Sequence, residues 1–167
     1  MIPHGFAPTL LPDNRNLMRH AATPLEIAPQ DQARQILSRA IELHRRGATA
    51  EATTLYRQVL ALDPFQSDAA HFLGIVTRDA GDAASAERLL RQAIATNDRH
   101  PAYHASLGLT LRGLGRSAEA AEAYKQAVGL KPDFAEAQIN LGNLLLEMND
   151  HAGAVAAYRA ALLVNSQ

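Results

Sequence analysis

One segment occurs three times along the chain, at 72–94, 106–128 and 140–162. Its central copy reads SLGLTLRGLGRSAEAAEAYKQAV. The copy before it reads FLGIVTRDAGDAASAERLLRQAI, and the copy after it reads NLGNLLLEMNDHAGAVAAYRAAL. Self-similarity at a fixed period is typical of architectures in which each unit packs only against its neighbours. This repetition constrains the fold more strongly than any other feature of the chain.

Frames of equal length that begin at 33, 67, 101 and 135 place the same residue types at the same positions. Positions 8 and 20 are small and position 24 is large, so two helix backbones can approach while the large side chain fills the remaining space. Position 15 is Gly or Asn, the residues that best tolerate the left-handed conformation that ends a helix. The pattern predicts antiparallel helix pairs and an all-α fold. Position 8 is Ala40, Gly74, Gly108 and Gly142, and position 15 is Gly47, Gly81, Gly115 and Asn149. Position 20 is Ala52, Ala86, Ala120 and Ala154, and position 24 is Tyr56, Leu90, Tyr124 and Tyr158.

This set of small, large and turn positions resembles the tetratricopeptide repeat, a helix-turn-helix unit of about 34 residues. The resemblance implies a right-handed α-solenoid of four repeats, with a concave groove lined mainly by the first helix of each pair. Five prolines precede the repeats, so residues 1–30 are predicted to form a flexible leader. The expected repeat domain, 31–167, then divides into repeats 33–66, 67–100, 101–134 and 135–167.

The frames also predict which side chains hold the helix pairs together. Tyr124 lies in the column of large residues and is expected to be a core residue, whereas Tyr103 lies outside that column and is expected to matter less. A side-chain oxygen after each turn is expected to cap the second helix of each pair. The expected caps are Thr49, Asp82, Ser117 and Asp150.

The charge and cysteine content exclude several classes of function. Sixteen Lys and Arg against 17 Asp and Glu give a formal net charge of -1, so there is no broad cationic field for nucleic acid or anionic lipid. The absence of Cys excludes a disulfide framework, a thiolate zinc site and a cysteine nucleophile. The sequence shows no signal-peptide pattern and no membrane span. We therefore expect a cytoplasmic protein that binds neither nucleic acid nor a membrane.

Two motifs invite a chemical interpretation. Residues 113–118, GLGRSA, match a loose dinucleotide-binding pattern, but a helix precedes them and the same glycine turn recurs at Gly47 and Gly81. His100 and His104 have the spacing of two metal ligands on one helix face, without a compelling third ligand. No nucleophile motif is present. We expect no catalytic residue, metal or cofactor, and therefore no enzyme within this sequence.

The family resemblance assigns positions 2, 5, 6, 9, 12 and 13 of the first helices to the concave groove. The resulting groove floor is mostly apolar, beside a short basic row, and suits an extended or helical segment of a partner protein. The alternatives are that the apolar side chains pack against neighbouring repeats and that the arginines are solvated surface charges. The candidate groove residues are Leu37, Ile41, His71, Ile75, Arg78, Leu109, Arg112, Ile139, Asn140 and Asn143.

A second resemblance suggests a different function. The segment YKQAVGLKPDFAEAQINLGNLLLE is similar to repeats that precede the catalytic region of O-linked N-acetylglucosamine transferases and their bacterial relatives. Those repeats carry an asparagine at position 6 that contacts substrate. Here that position is Ser38, Phe72, Ser106 and Asn140, so Asn140 alone can inherit the role. The alternative hypothesis is therefore the N-terminal, substrate-selecting segment of such a glycosyltransferase.

The final repeat has no polar capping helix, which solenoids generally require. Leu162, Leu163 and Val164 are therefore expected to be covered by further sequence, by a second copy of the chain or by another partner.

Overall fold

The computed structural model describes residues 28–164, and this part of the chain contains eight α-helices and no strand. Each helix packs chiefly on its partner in the same repeat, and the second helix of each pair packs next on the first helix of the following pair. The predicted all-α solenoid of four helix-turn-helix repeats is confirmed. The helices are α1 (Pro29–Arg45), α2 (Thr49–Leu62), α3 (Ser67–Asp79), α4 (Ala83–Thr96), α5 (Pro101–Gly113), α6 (Ser117–Leu130), α7 (Ala135–Glu147) and α8 (His151–Val164).

The leader that was predicted for 1–30 falls mainly on residues 1–27, which lie outside the described residues. Helix α1 begins at Pro29, ahead of the first frame. Proline fits a first helical turn because the N–H that it lacks would have no partner within the helix. In residues 28–164, no helix is both long enough and apolar enough to cross a membrane.

The turn within each pair has the predicted left-handed residue. Gly47, Gly81 and Gly115 have φ values of 79°, 94° and 75°, and Asn149 has a φ of 63°. At each turn the next N–H bonds a carbonyl near the end of the first helix, as Ala48 does to Leu43 at 2.9 Å. These bonds satisfy carbonyls that lack a partner within the helix and reverse the chain into the second helix.

Two of the four predicted caps are correct. Asp82 accepts a bond from the N–H of Ser85 at 3.0 Å, and Asp150 accepts one from the N–H of Gly153 at 2.9 Å. Thr49 and Ser117 are wrong as caps because each is already the first residue of its helix. The residues at the N-cap position there have no capping side-chain bond.

The small and large columns meet as predicted. A Cβ atom added to Gly108 would lie 3.0 Å from the ring of Tyr124, and one added to Gly142 would lie 2.6 Å from the ring of Tyr158. Tyr124 is fully buried. Close approach of the two backbones in the third and fourth repeats therefore depends on glycine at position 8.

Tyr103 is expected from the sequence to contribute less to stability than Tyr124. The structure does not fit this expectation, because only 1% of the surface of Tyr103 is exposed. Its hydroxyl donates to the carboxylate of Asp68 at 2.5 Å and lies 3.2 Å from the Ser67 hydroxyl. Its ring stacks on His100, with 4.2 Å between the centroids. Position 3 of the first helix thus forms the contact with the preceding repeat, a role that the columns within a pair do not reveal.

Candidate functional site

The first helices α3, α5 and α7 line a cavity of about 260 Å³, which we call the groove cavity. Helix α3 contacts α5 and α5 contacts α7, so residues of successive first helices face one space. Half of the predicted groove residues line it: His71, Ile75, Arg78, Leu109 and Asn140. The structure therefore brings positions 5, 6, 9 and 12 of adjacent repeats to the same site.

The cavity includes five further residues that the pattern of apolar and basic positions does not select. These residues are Ala102, Ala105, Ser106, Phe134 and Glu136. Four of them occupy positions 2, 5 and 6, which the family resemblance assigns to the groove. The sequence could therefore have identified these four. Phe134 precedes α7 at the last position of its frame, where the only signal is an aromatic residue beside a helix start.

The remaining predicted residues lie outside the lining of this cavity. Leu37 is buried in the core cluster of the first two repeats, and Ile41 packs against that cluster. Packing against neighbouring repeats, the alternative to a role in the groove, therefore accounts for both apolar side chains. Ile139 is 42% exposed, and Asn143 accepts a hydrogen bond from the Tyr158 hydroxyl at 2.7 Å. Asn143 is thus already engaged within its own repeat.

The arginines of the predicted basic row have acidic partners within the chain. Arg78 donates to Asp79 at 2.8 Å and 3.0 Å. Arg112 donates to both carboxylate oxygens of Glu147, and this interaction raises the pKa of the Arg112 guanidinium. An acidic ligand would have to compete with these carboxylates, so the row offers less positive charge than the sequence alone indicates.

The polar part of the groove cavity centres on His71, which is 6% exposed. Its Nε2 atom lies 2.9 Å from the Ser106 hydroxyl. Burial lowers the pKa of His71 to about 4, with nearby His100 lowering it further. Asp68 opposes that shift, and Arg78 adds to it. The imidazole is therefore neutral near pH 7 and can donate or accept a hydrogen bond.

This shift predicts a loss of stability on acidification. Because the pKa of His71 is lower in the folded chain than in the unfolded chain, the unfolded chain binds more protons between those two values. The stability contribution is present above pH 6.5 and is lost as the pH falls towards 4. From pH 7 to pH 5, His71 should account for a decrease of about 2 kcal/mol in the free energy of unfolding.

The measurement is urea unfolding of the parent chain and of His71→Gln at both pH values. The Gln variant should lose about 2 kcal/mol less than the parent over this interval. An equal pH dependence in the two chains would contradict the assignment to His71.

His100 and His104, the two candidate metal ligands, make other contacts. His104 Nε2 bonds the carbonyl of Asp98 at 2.8 Å, and His100 stacks on Tyr103. Among residues 28–164 there is no group of three or more His, Cys, Asp or Glu side chains arranged to hold a metal ion.

A stack of helix pairs around a shared concave cavity defines an α-solenoid of the kind built from tetratricopeptide units. The family model described as Tetratricopeptide repeat matches residues 73–133 and 106–166. The chain belongs to this family. No curated protein matches it.

Solved structures share this architecture. MamA is 23% identical with a TM-score of 0.74, and the match covers 80% of this chain and 78% of MamA. Pseudomonas aeruginosa pilF is 26% identical with a TM-score of 0.74, over 82% of this chain and 63% of pilF. A Thermobaculum terrenum O-GlcNAc transferase mutant is 29% identical with a TM-score of 0.68, over 70% of this chain and 22% of the transferase. The family and the fold indicate a protein-interaction scaffold.

Proposed function

We propose that this chain is a non-catalytic scaffold that binds a peptide segment of a partner protein in its concave groove. The groove cavity is the observation that supports this function most directly, because it combines apolar and polar groups from three repeats. Ile75, Leu109 and Phe134 offer apolar surface, and Leu109 is 36% exposed. Burial of a partner's side chain against them would provide the affinity.

The polar residues of the cavity suit an extended peptide. A peptide in this conformation presents unpaired N–H and C=O groups, which require partners when they leave water. Asn140 can donate and accept, and the His71–Ser106 pair offers a second polar contact. Together with the apolar surface, these groups would orient the peptide along the first helices.

The test is a pull-down with the full chain, beside a variant that combines Ile75→Glu with Leu109→Glu. Two carboxylates on the apolar floor should reduce capture of a groove partner by about tenfold or more, because each charge would have to be desolvated. Val155→Glu is the matched control, since Val155 is 47% exposed on α8 and outside the cavity.

Circular dichroism checks that all three chains are folded. A partner captured by the parent and by Val155→Glu but lost by the double variant supports the proposal. Equal capture by a folded double variant would contradict recognition in the groove.

The second candidate function is the substrate-selecting segment of an O-GlcNAc transferase-like enzyme. It is supported by the 29% identity to the transferase structure and by Asn140, which lines the groove cavity. A catalytic domain encoded in frame after codon 167 would favour this function. A different coding sequence there would favour the independent scaffold.

Helix α8 suggests self-association as a further proposal. Leu163 is 70% exposed and lines a surface hollow with Val164, Ala160, Pro132 and Asp133. If a second copy covers this edge, the mass of the full chain in light scattering should rise with concentration, and Leu163→Glu should abolish the rise. A mass that does not depend on concentration would contradict this proposal.

The cytoplasmic location stays a prediction.

A further inference from the structure

A second and larger cavity lies between α4 and α6, with α5 as its floor. Its volume is about 430 Å³, within the range of small-molecule pockets. Leu107 and Leu111 line it from α5, Ile94 and Ala95 from α4, and Ala123 from α6. We call it the outer groove.

The outer groove and the groove cavity use opposite faces of α5. Leu107 and Leu111 are one turn apart, whereas Ala105 and Leu109 of the groove cavity form a stripe about half a helical turn away. The two cavities share no lining residue. A ligand in one would therefore leave the other open.

The preceding pair of repeats shows what this groove lacks. One repeat before Ile94, Ala95 and Leu107 stand the similar residues Leu60, Ala61 and Leu73, whereas Leu111 and His104 of the outer groove correspond to Thr77 and Ala70. Position 23, in contrast, is Leu89 in the second repeat and Ala123 in the third. Leu89 and Leu60 both pack against the core cluster that contains Leu73. One repeat earlier, a leucine at position 23 therefore packs against the cluster that contains the equivalent of Leu107, whereas an alanine at position 23 lines the outer groove.

The rim of the outer groove has a surplus of negative charge. Arg91 pairs with Glu87 at 2.9 Å and lies 3.6 Å from Glu119. Arg116 pairs with the same two carboxylates at 2.7 Å and 2.5 Å, so these four groups balance one another. Glu122 accepts a bond from the neutral Gln126 amide at 3.1 Å, and it forms no ion pair with any residue from 28 to 164. The equivalent of Glu122 in the second repeat is the cationic Arg88.

We propose that the outer groove is a second docking site, for a partner segment that inserts a leucine-sized apolar side chain with a basic residue beside it. The apolar side chain would replace the missing position 23 side chain over Leu107 and Leu111, and the basic group would pair with Glu122. This site goes beyond the proposed groove function, since it would let one chain hold two partners on opposite faces.

The test uses two capped dipeptides, N-acetyl-arginyl-leucinamide and N-acetyl-glutamyl-leucinamide. The full chain, labelled at alanine and leucine methyl groups, is titrated with each and followed by NMR. We expect saturable shifts at Ala95, Leu107, Leu111 and Ala123, with about two- to fivefold tighter binding of the arginyl peptide, the range typical of a single exposed ion pair. Absence of saturable shifts at these methyl groups, or equal affinity for both peptides, would overturn the proposal.

Two variants separate the apolar and the ionic contributions. Ala123→Leu should remove the shifts, because the larger side chain would occupy the outer groove at the position that Leu89 holds in the second repeat. Glu122→Gln should retain the shifts but bind both peptides equally. Persistence of the shifts in Ala123→Leu, or of the arginyl preference in Glu122→Gln, would overturn the proposal. If Ala123→Leu does not fold, the exposed Glu122→Gln variant decides the outcome.

Ile75→Glu serves as the control for independence from the groove cavity. It should leave both titrations unchanged, so the outer groove can be tested even if recognition in the groove cavity fails. Loss of the outer shifts in a folded Ile75→Glu chain would show that the peptides bind elsewhere and would overturn the assignment.

Discussion

Replacing Tyr124 with alanine is expected to lower the free energy of unfolding by about 3 to 5 kcal/mol, the range typical of large aromatic truncations in a core. The side chain is fully buried and packs on the backbone of Gly108. Truncation would leave a cavity between α5 and α6 that their backbones cannot close without breaking the stack. Denaturant unfolding of the two chains measures the loss.

Tyr124→Phe is the matched control. Within the described part of the chain, the buried Tyr124 hydroxyl has no hydrogen-bond partner, whereas Tyr158 donates to Asn143 and the Tyr56 hydroxyl lies 3.1 Å from His44 Nδ1. Removing an unpaired buried hydroxyl gives up no protein hydrogen bond, so the Phe variant should be as stable as the parent or more stable. An unchanged denaturation midpoint for Tyr124→Ala would contradict the packing of position 24 against position 8.

Tyr103→Ala is expected to cost a similar amount, about 3 to 5 kcal/mol. The ring is buried between repeats, where it stacks on His100 and lies 4.7 Å from the His71 ring centroid. Truncation would also remove the donor to the Asp68 carboxylate. Stacking of the third repeat on the second should weaken, and urea unfolding would show this as a lower midpoint.

Tyr103→Phe should separate the hydroxyl from the ring. Tyr103→Phe should lower the free energy of unfolding by about 1.5 to 3 kcal/mol, the range for a hydrogen bond to a charged group. Tyr124→Phe, in contrast, should lose no stability. A double-mutant cycle with Asp68→Ala isolates this bond, since the cost of Tyr103→Phe should largely disappear once the carboxylate is gone. A loss in Tyr103→Ala no larger than that of an exposed substitution would contradict a core role.

Much of the architecture was predictable because its determinants repeat within short stretches of chain. The turn residues at position 15 and the small residues at position 8 act on neighbours within one helix pair, and their recurrence in every frame identifies them. The candidate groove was predictable to the level of helix faces, since five selected residues, among them Ile75 and Asn140, line one cavity. Phe134 escaped the pattern because it precedes a helix and its equivalents in the earlier repeats, Gln66 and His100, are of other residue types.

The sequence by itself determined the repeat, the all-α fold and the order of the helix pairs, because these depend on local backbone preferences and on a regular spacing. Only the tertiary structure decided which side chains meet across repeats. The bond between Tyr103 and Asp68 and the pairing of Arg112 with Glu147 each join residues 35 positions apart. Ala123, which stands where the preceding repeat has Leu89, lines the outer groove beside Leu107 and Leu111. Such contacts depend on the volume and charge of the side chains where two repeats meet. The residue types that all repeats share do not specify these properties.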